Sequence, residues 1–279
     1  TQMGGVDPKT GRFYFGGLDT NTNLFTFLYY DPATGLVASK AVSVKPTTTP
    51  PGGAGDLAFD RQGNMYFISS GTKSAQVYRV NAADLGSDST KATPVGPAIG
   101  TSVNLTSLAF GDDGYIYISG SGANTYMQVD PVTGAVSPAK SIRSGTTALN
   151  VYDLGSRALP STGQSQGGFD EGRAKPSDEL TTTISGGGIP TPVSGTTTPG
   201  TDTVTVGPII LLPGKTYTVD QTPGNSTTDP NAYDTTYTCT DLVSGATVAQ
   251  GTGTTATFTV PAGGGDVQCV FSNPPKPTV

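Results

Sequence analysis

A chain of 279 residues with 39 Gly, 22 Pro and a formal charge of −6 has room for one large or two ordinary domains. Charged residues make up only 13%, about half of the roughly 25% usual for soluble domains, and the 15 Lys and Arg are scattered singly, which excludes a nucleic-acid-binding face. No stretch approaches the ~18 apolar residues of a membrane span, and the absence of His removes the commonest general base and zinc ligand.

The opening "TQMGGVDPKTGRFYF" already reads as folded sequence, so residue 1 is expected to be a processing or fragment boundary, with any signal further upstream. Periodic runs of Ala, Leu, Glu, Lys and Arg are missing throughout. Short alternating runs of Thr, Val, Tyr and Ser between Gly, Pro and Asp predict an all-β protein. Three segments superpose: "VDPKTGRFYFGG" from Val6, "LAFDRQGNMYFISS" from Leu57 and "LAFGDDGYIYISGS" from Leu108. Gly11, Gly63 and Gly114 hold the turns, and Tyr14, Tyr66 and Tyr117 the strands that follow. A second element, "LYYDPATGLV", "VYRVNAADLG" or "MQVDPVTGAV", comes after each.

The repeats lie near 6–50, 56–100 and 107–150, within a segment 1–160. Each holds about four short strands, the content of one propeller blade. Closed rings have about four to eight blades, so three predict a partial propeller with further blades before residue 1. "DPATG" at Asp31 and "DPVTG" at Asp130 are turns rather than calcium loops: Asp bonds backbone, Pro presets φ, and the alternating acidic ligands of an EF-hand are absent. Tyr29, Tyr30, Tyr78 and Tyr126 recur at matching strands and are candidate stacking residues for a sugar, although such aromatics more often pack between blades.

The repeat stops after "NVYDLGSRALP". "LPSTG" at 159–163 matches a sortase signal, but a folded domain of over a hundred residues follows where an apolar anchor and basic tail belong. The polar, Gly-rich stretch 161–176 therefore reads as a linker. Strand patterns resume with "DELTTTISG", "TDTVTVGPIIL", "GKTYTVDQT", "DTTYTCTDL", "TTATFTVPA" and "DVQCVFSN". They predict an antiparallel sandwich over 177–273, and 274–279 reads as an interdomain tail.

Chemistry is sparse. Asp112–Asp113 and Asp170–Glu171 are the nearest carboxylate pairs, and both fall in Gly-rich turns where solvated acids are expected. "GAGDLAFDRQG" is followed by a strand pattern rather than a helix, so it is no nucleotide loop. The N-glycosylation sequons at Asn104 and Asn225 are short motifs that carry little meaning by themselves. No catalytic residue, cofactor or metal site is expected.

"PGKTYTVDQTPGN", "YDTTYTCTDLVSGATVAQGTGTTATFTVPAGGGDVQCVFSNPPKP" and the preceding "DGYIYISGSG…VDPVTG…VYDLGSRALP" resemble actinobacterial secreted surface proteins. In these a propeller-like segment precedes prealbumin-like domains of the transthyretin, SpaA or Cna-B type. The resemblance is strongest from Thr203 to Pro275. It implies an adhesin or stalk module, displayed on the wall or secreted, whose partner is a host or matrix protein or a glycan. A carbohydrate-binding or carbohydrate-active protein using the propeller face is the alternative.

Many Cna-B-type domains link a Lys on the first strand to an Asn on the last, with an acid between. Asn273 fits the Asn, but Gln221 holds the acid's slot, with Asp220 one residue off, and "QGGFDEG" stands where the Lys belongs. A shift of one residue turns a strand side chain to the opposite face. Lys175 is the nearest donor, with Lys215 another, and the link is not expected to form. Cys239 and Cys269 are the only cysteines, both in alternating strand sequence. They are either a buried thiol pair or, as a His-free secreted-looking domain favours, a disulfide between neighbouring strands, doing for this domain what the isopeptide does in its relatives.

Overall fold

A computed structural model describes residues 3–38, 42–86, 90–156, 159–169 and 171–277. The described residues form strands, turns and two three-residue 3-10 segments. The chain divides into two compact units, Thr1–Pro160 and Ser161–Val279.

The first unit is a run of three four-stranded antiparallel meanders. The first meander comprises β1 (Met3–Val6), β2 (Phe13–Asp19), β3 (Leu24–Asp31), the two-residue β4 (Leu36–Val37) that extends the pairing of β3, and β5 (Val42–Pro46). The second comprises β6 (Leu57–Phe59), β7 (Met65–Ser70), β8 (Ser74–Val80) and β9 (Thr90–Pro94), with β10 (Ile99–Gly100) added to β8. The third comprises β11 (Leu105–Phe110), β12 (Ile116–Gly120), β13 (Thr125–Val129) and β14 (Lys140–Ser141). A small hairpin, β15 (Arg143–Ser144) and β16 (Thr147–Ala148), follows it. Each meander corresponds to one sequence repeat, or blade; β5 and β9 pair in parallel and join the first two into one sheet.

The turn chemistry explains the repeat. Gly11, Gly63 and Gly114 have φ of 72°, 81° and 79°, a region that L side chains avoid, so Gly reappears at each blade's first hairpin. Asp7, Asp31, Asp130 and Asp241 each accept the amide two residues on through their Oδ1, and each carbonyl accepts the amide of the Gly four residues on. Between the first two blades Phe25, Phe27 and Phe67 are enclosed, with the Phe25 and Phe67 centroids 4.5 Å apart. Full burial of each such ring contributes about 1.5–3 kcal/mol.

The second unit is a two-sheet sandwich. Its strands are β17 (Ser161–Gly168), β18 (Leu180–Gly186), β19 (Val193–Thr196), β20 (Thr203–Leu211), β21 (Thr216–Pro223), β22 (Thr236–Asp241), β23 (Thr247–Thr252), β24 (Thr255–Thr259) and β25 (Asp266–Ser272). One sheet has the order β20-β17-β25-β22-β23 and the other β19-β18-β21-β24. Alternation decides the facing: Tyr217 and Val219 on β21, Ala256 and Phe258 on β24, and Val267, Cys269 and Phe271 on β25 all enter one core.

Two boundaries differ from the sequence reading. The stretch 161–168, read as the first half of a linker, is the strand β17, seated between β20 and β25 with Ser161, Thr162 and Ser165 buried. Its hydroxyls are satisfied inside the sheet: Thr162 donates to Asp266, Ser165 donates to the Cys269 carbonyl, and Ser161 accepts the Gly265 amide. A strand can be buried without apolar residues when its polar groups are paired in this way. The tail also begins later than expected, because Pro275 bridges to Tyr233 and the Lys276 amide donates to the Ala232 carbonyl.

Candidate functional site

The second unit's polar interior lies where its first and last strands meet. Asn273, just beyond β25, is enclosed; its Nδ2 donates to the carbonyl of Gly168 at 2.6 Å, and its Oδ1 accepts Thr235 Oγ1 at 2.8 Å. Gln221 points inward from β21, and its Nε2 donates to Thr182 Oγ1 at 3.3 Å. Asp220, one residue earlier, is turned away and accepts Thr255 Oγ1. Gly167 faces this cluster, and a Cβ there would run into the Gln221 amide and the Thr182 hydroxyl. The space that a first-strand lysine would need is therefore taken by Gln221 and Thr182. Lys175 and Lys215 are both exposed, whereas Asn273 is enclosed.

Cys239 and Cys269 face each other across the antiparallel β22–β25 ladder and form a disulfide, with an S–S distance of 2.02 Å and a Cα separation of 3.9 Å. That separation is shorter than the roughly 4.4–6.8 Å usual for disulfides and than the ~4.5 Å of a close antiparallel pair. On its other side β25 pairs with β17, and that pair is parallel, from Thr162↔Asp266 to Gln166↔Val270. The unit's first strand thus runs beside its last in the same direction.

Arg173 was not singled out in the sequence. Its guanidinium donates to Asp202 and to the carbonyls of Asp178, Thr198 and Thr201, and lies 4.4 Å from the Phe169 ring centroid. Beside it the Tyr233 hydroxyl donates to Asp178; burial and then that bond push the phenol up to about 12. "FDEGRAK" carries no periodic signal that would have revealed this anchor. Asp170 lies outside the described residues, and Glu171 is exposed.

The four blade tyrosines do not form a column. The ladders pair Tyr14 with Tyr29, Tyr66 with Arg79, and Tyr117 with Gln128, so Tyr29 corresponds to Arg79 and Gln128. Tyr78 is one residue out of step and faces the other way; it is fully buried, with its ring 5.3 Å from Phe67 and its hydroxyl 2.9 Å from Thr48 Oγ1. Tyr126 is offset by two and packs on Tyr117, while Tyr29 lies under the Arg12 guanidinium and against Tyr14. Tyr30 is exposed. Asp112 is exposed, whereas Asp113 accepts the Tyr117 hydroxyl and the Gln128 amide, so the two acids do not act as a facing pair.

A cavity of about 470 Å³ opens beside β1, β6 and β11 of the first unit, lined by Gly5, Asp56, Leu57, Leu108, Asp153 and Ser156 among others. Burial pushes the Asp56 carboxyl up to about 6, opposed by backbone amides that stabilise its charge. Its two oxygens accept the amides of Leu57 at 2.8 Å and Leu108 at 3.0 Å, so it pins β6 to β11. Both oxygens being engaged, this is a joint rather than a free general base. Among the described residues no three His, Cys, Asp or Glu side chains gather as metal ligands would, and no helix is long and apolar enough to cross a membrane.

Residues 166–275, less than half of the chain, match the family of prealbumin-like fold domains of the SpaA type. The second unit is a prealbumin-like sandwich. No curated protein matches. Among solved structures, the chain is similar to the major pilin protein T3.2 of Streptococcus pyogenes at 10% identity, covering 99% of this chain and 97% of that one with a TM-score of 0.29. Another major pilin structure from Streptococcus pyogenes gives 11% identity, 98% and 97% coverage and a TM-score of 0.27. Scores this low carry no weight for the fold or its use.

Proposed function

We propose that this chain is a non-catalytic extracellular module that acts as a spacer or stalk on the surface of a Gram-positive actinobacterium. It would hold an adhesive part toward a host or matrix protein or a glycan. The observation that carries this reading is the parallel pairing of β17 with β25. Adjacent parallel strands place the unit's entry at one end of the sheet and its exit at the other. Tension between the two ends therefore shears the ladder, loading its hydrogen bonds together instead of peeling them one at a time.

Three further features support load bearing. β17 is gripped on both sides, by β20 and β25. Asn273 fastens the last strand to the carbonyl at the end of the first. The disulfide keeps β25 on β22 even when the rest of the sheet opens. The match to prealbumin-like domains agrees with this reading, since resemblance to that class implies surface stalks and adhesins. The sugar-binding alternative is weakened by the burial of Tyr78 and the stagger of the other tyrosines. Extending single molecules by their two ends tests the proposal.

A further inference from the structure

The three blades repeat in register, so their faces can be compared residue by residue. The ladder pairs that close the first hairpins are Val6↔Phe13, Phe59↔Met65 and Phe110↔Ile116. The third strands add Tyr30, Val80 and Val129 to the same face. In the second blade Phe59, Met65 and Val80 are 2%, 0% and 0% exposed, and in the third Phe110, Ile116 and Val129 are 3%, 0% and 0% exposed. In the first blade Val6, Phe13 and Tyr30 are 55%, 42% and 41% exposed. Val37, paired with Tyr30, is 51% exposed and carries the row onto β4. Phe15 lies on the same face, its ring stacked on Phe13 at 5.9 Å.

What covers this face elsewhere is clear. In the second blade it shares a core with Tyr14, Phe25 and Phe27 of the first. In the third, the Phe110 ring meets Tyr66 of the second blade edge-on at 5.2 Å, and the Leu105 amide donates to Ser70 Oγ. Both times the cover is the opposite face of the blade that comes earlier in the chain.

We propose that the open face of the first blade is a docking surface for one further four-stranded blade of the same repeat, carried by the same polypeptide N-terminal to Met3. The row Val6, Phe13, Tyr30 and Val37 contains no charge and spans four strands, the kind of contiguous apolar surface that soluble domains cover. Chain order names the occupant, because a preceding blade covers this face at both existing contacts. A second copy could make the same contact only head to tail, with its third blade on this face, and such docking would grow with concentration.

Hydroxyl-radical footprinting tests the proposal on the 279-residue chain and on the polypeptide that its gene encodes. In the shorter chain Phe13 and Tyr30 should be modified roughly tenfold or more faster than the enclosed Tyr78. In the encoded polypeptide both should fall to the Tyr78 level. Undiminished labelling there, or a gene with no repeat upstream, overturns the proposal. Protection in the shorter chain that grows with concentration also overturns it and assigns the face to a second copy. The double variant Phe13→Ser/Tyr30→Ser should move the melting temperature of the shorter chain by less than about 2 °C and that of the longer by about 5 °C or more. Equal shifts in both would contradict a blade seated on this face.

Discussion

The side-chain amide of Asn273 donates to the carbonyl of Gly168, joining the end of the second unit's last strand to the end of its first. The resemblance to Cna-B-type domains would put a covalent link here, but β17 carries no lysine and the neutral Gln221 lies against Gly167. Asn273→Ala should destabilise the second unit by about 1–3 kcal/mol, since it strands a buried carbonyl and the Thr235 hydroxyl. Denaturant unfolding measures this. The intact mass should show no loss of ammonia; such a loss would mean that a lysine reaches Asn273 after all.

The Cys239–Cys269 bridge closes a loop with a sequence separation of 30. Replacing both residues by Ala should lower the second unit's stability by about 3–4 kcal/mol in the chain-entropy model. Intact mass under non-reducing conditions should fall short of the reduced mass by two hydrogens. An unchanged unfolding midpoint in the double variant would show that the bridge constrains little.

The repeated hairpins were legible in sequence because their turns demand Gly at positive φ and their strands alternate. Three copies made the pattern visible. The strand β17 was not legible, because "STGQSQGG" has no apolar residue to mark its buried face. Its hydroxyls are satisfied by neighbouring strands, and Gly167 is small because Gln221 and Thr182 fill the space beside it. The tyrosine stagger was hidden for another reason: a one-residue offset between hairpins reverses a side chain, and only the ladder register reveals it. The disulfide could be read as an option from two cysteines in alternating strands, whereas Arg173 gave no signal, since its partners are mostly carbonyls of distant loops.

Asp56 gives the first unit a pH dependence of known sign. Its folded value, about 6, lies above the ordinary 3.8 of an aspartate. The folded state therefore keeps a proton that the unfolded chain releases across this interval, and the group's contribution is full below about pH 4 and lost as pH rises through 6. A two-unit shift corresponds to at most ~3 kcal/mol, and partial exposure reduces it. The stability difference between Asp56→Asn and the native chain should move in the variant's favour by about 1–2 kcal/mol from pH 4 to pH 7. A difference that does not change with pH would mean that Asp56 titrates normally.

The "LPSTG" match begins at Leu159, and Ser161, Thr162 and Gly163 already belong to β17. Ser161 and Thr162 are buried, and the Thr162 amide and hydroxyl are both held by Asp266. A class A sortase with a Gly-based nucleophile should leave the folded protein intact, and cleavage should appear only under conditions that unfold the second unit. Efficient transpeptidation of the native chain at Thr162 would contradict this placement.

Single-molecule extension from the two chain ends tests the central claim most directly. The second unit should yield in one step, at a higher force than the first, whose antiparallel meanders open strand by strand. Its length gain should be shorter by roughly 100 Å in oxidised than in reduced protein, because the loop between Cys239 and Cys269 stays closed. Yielding of the second unit before the first, or in small successive steps, would contradict a load-bearing role for the parallel β17–β25 pair.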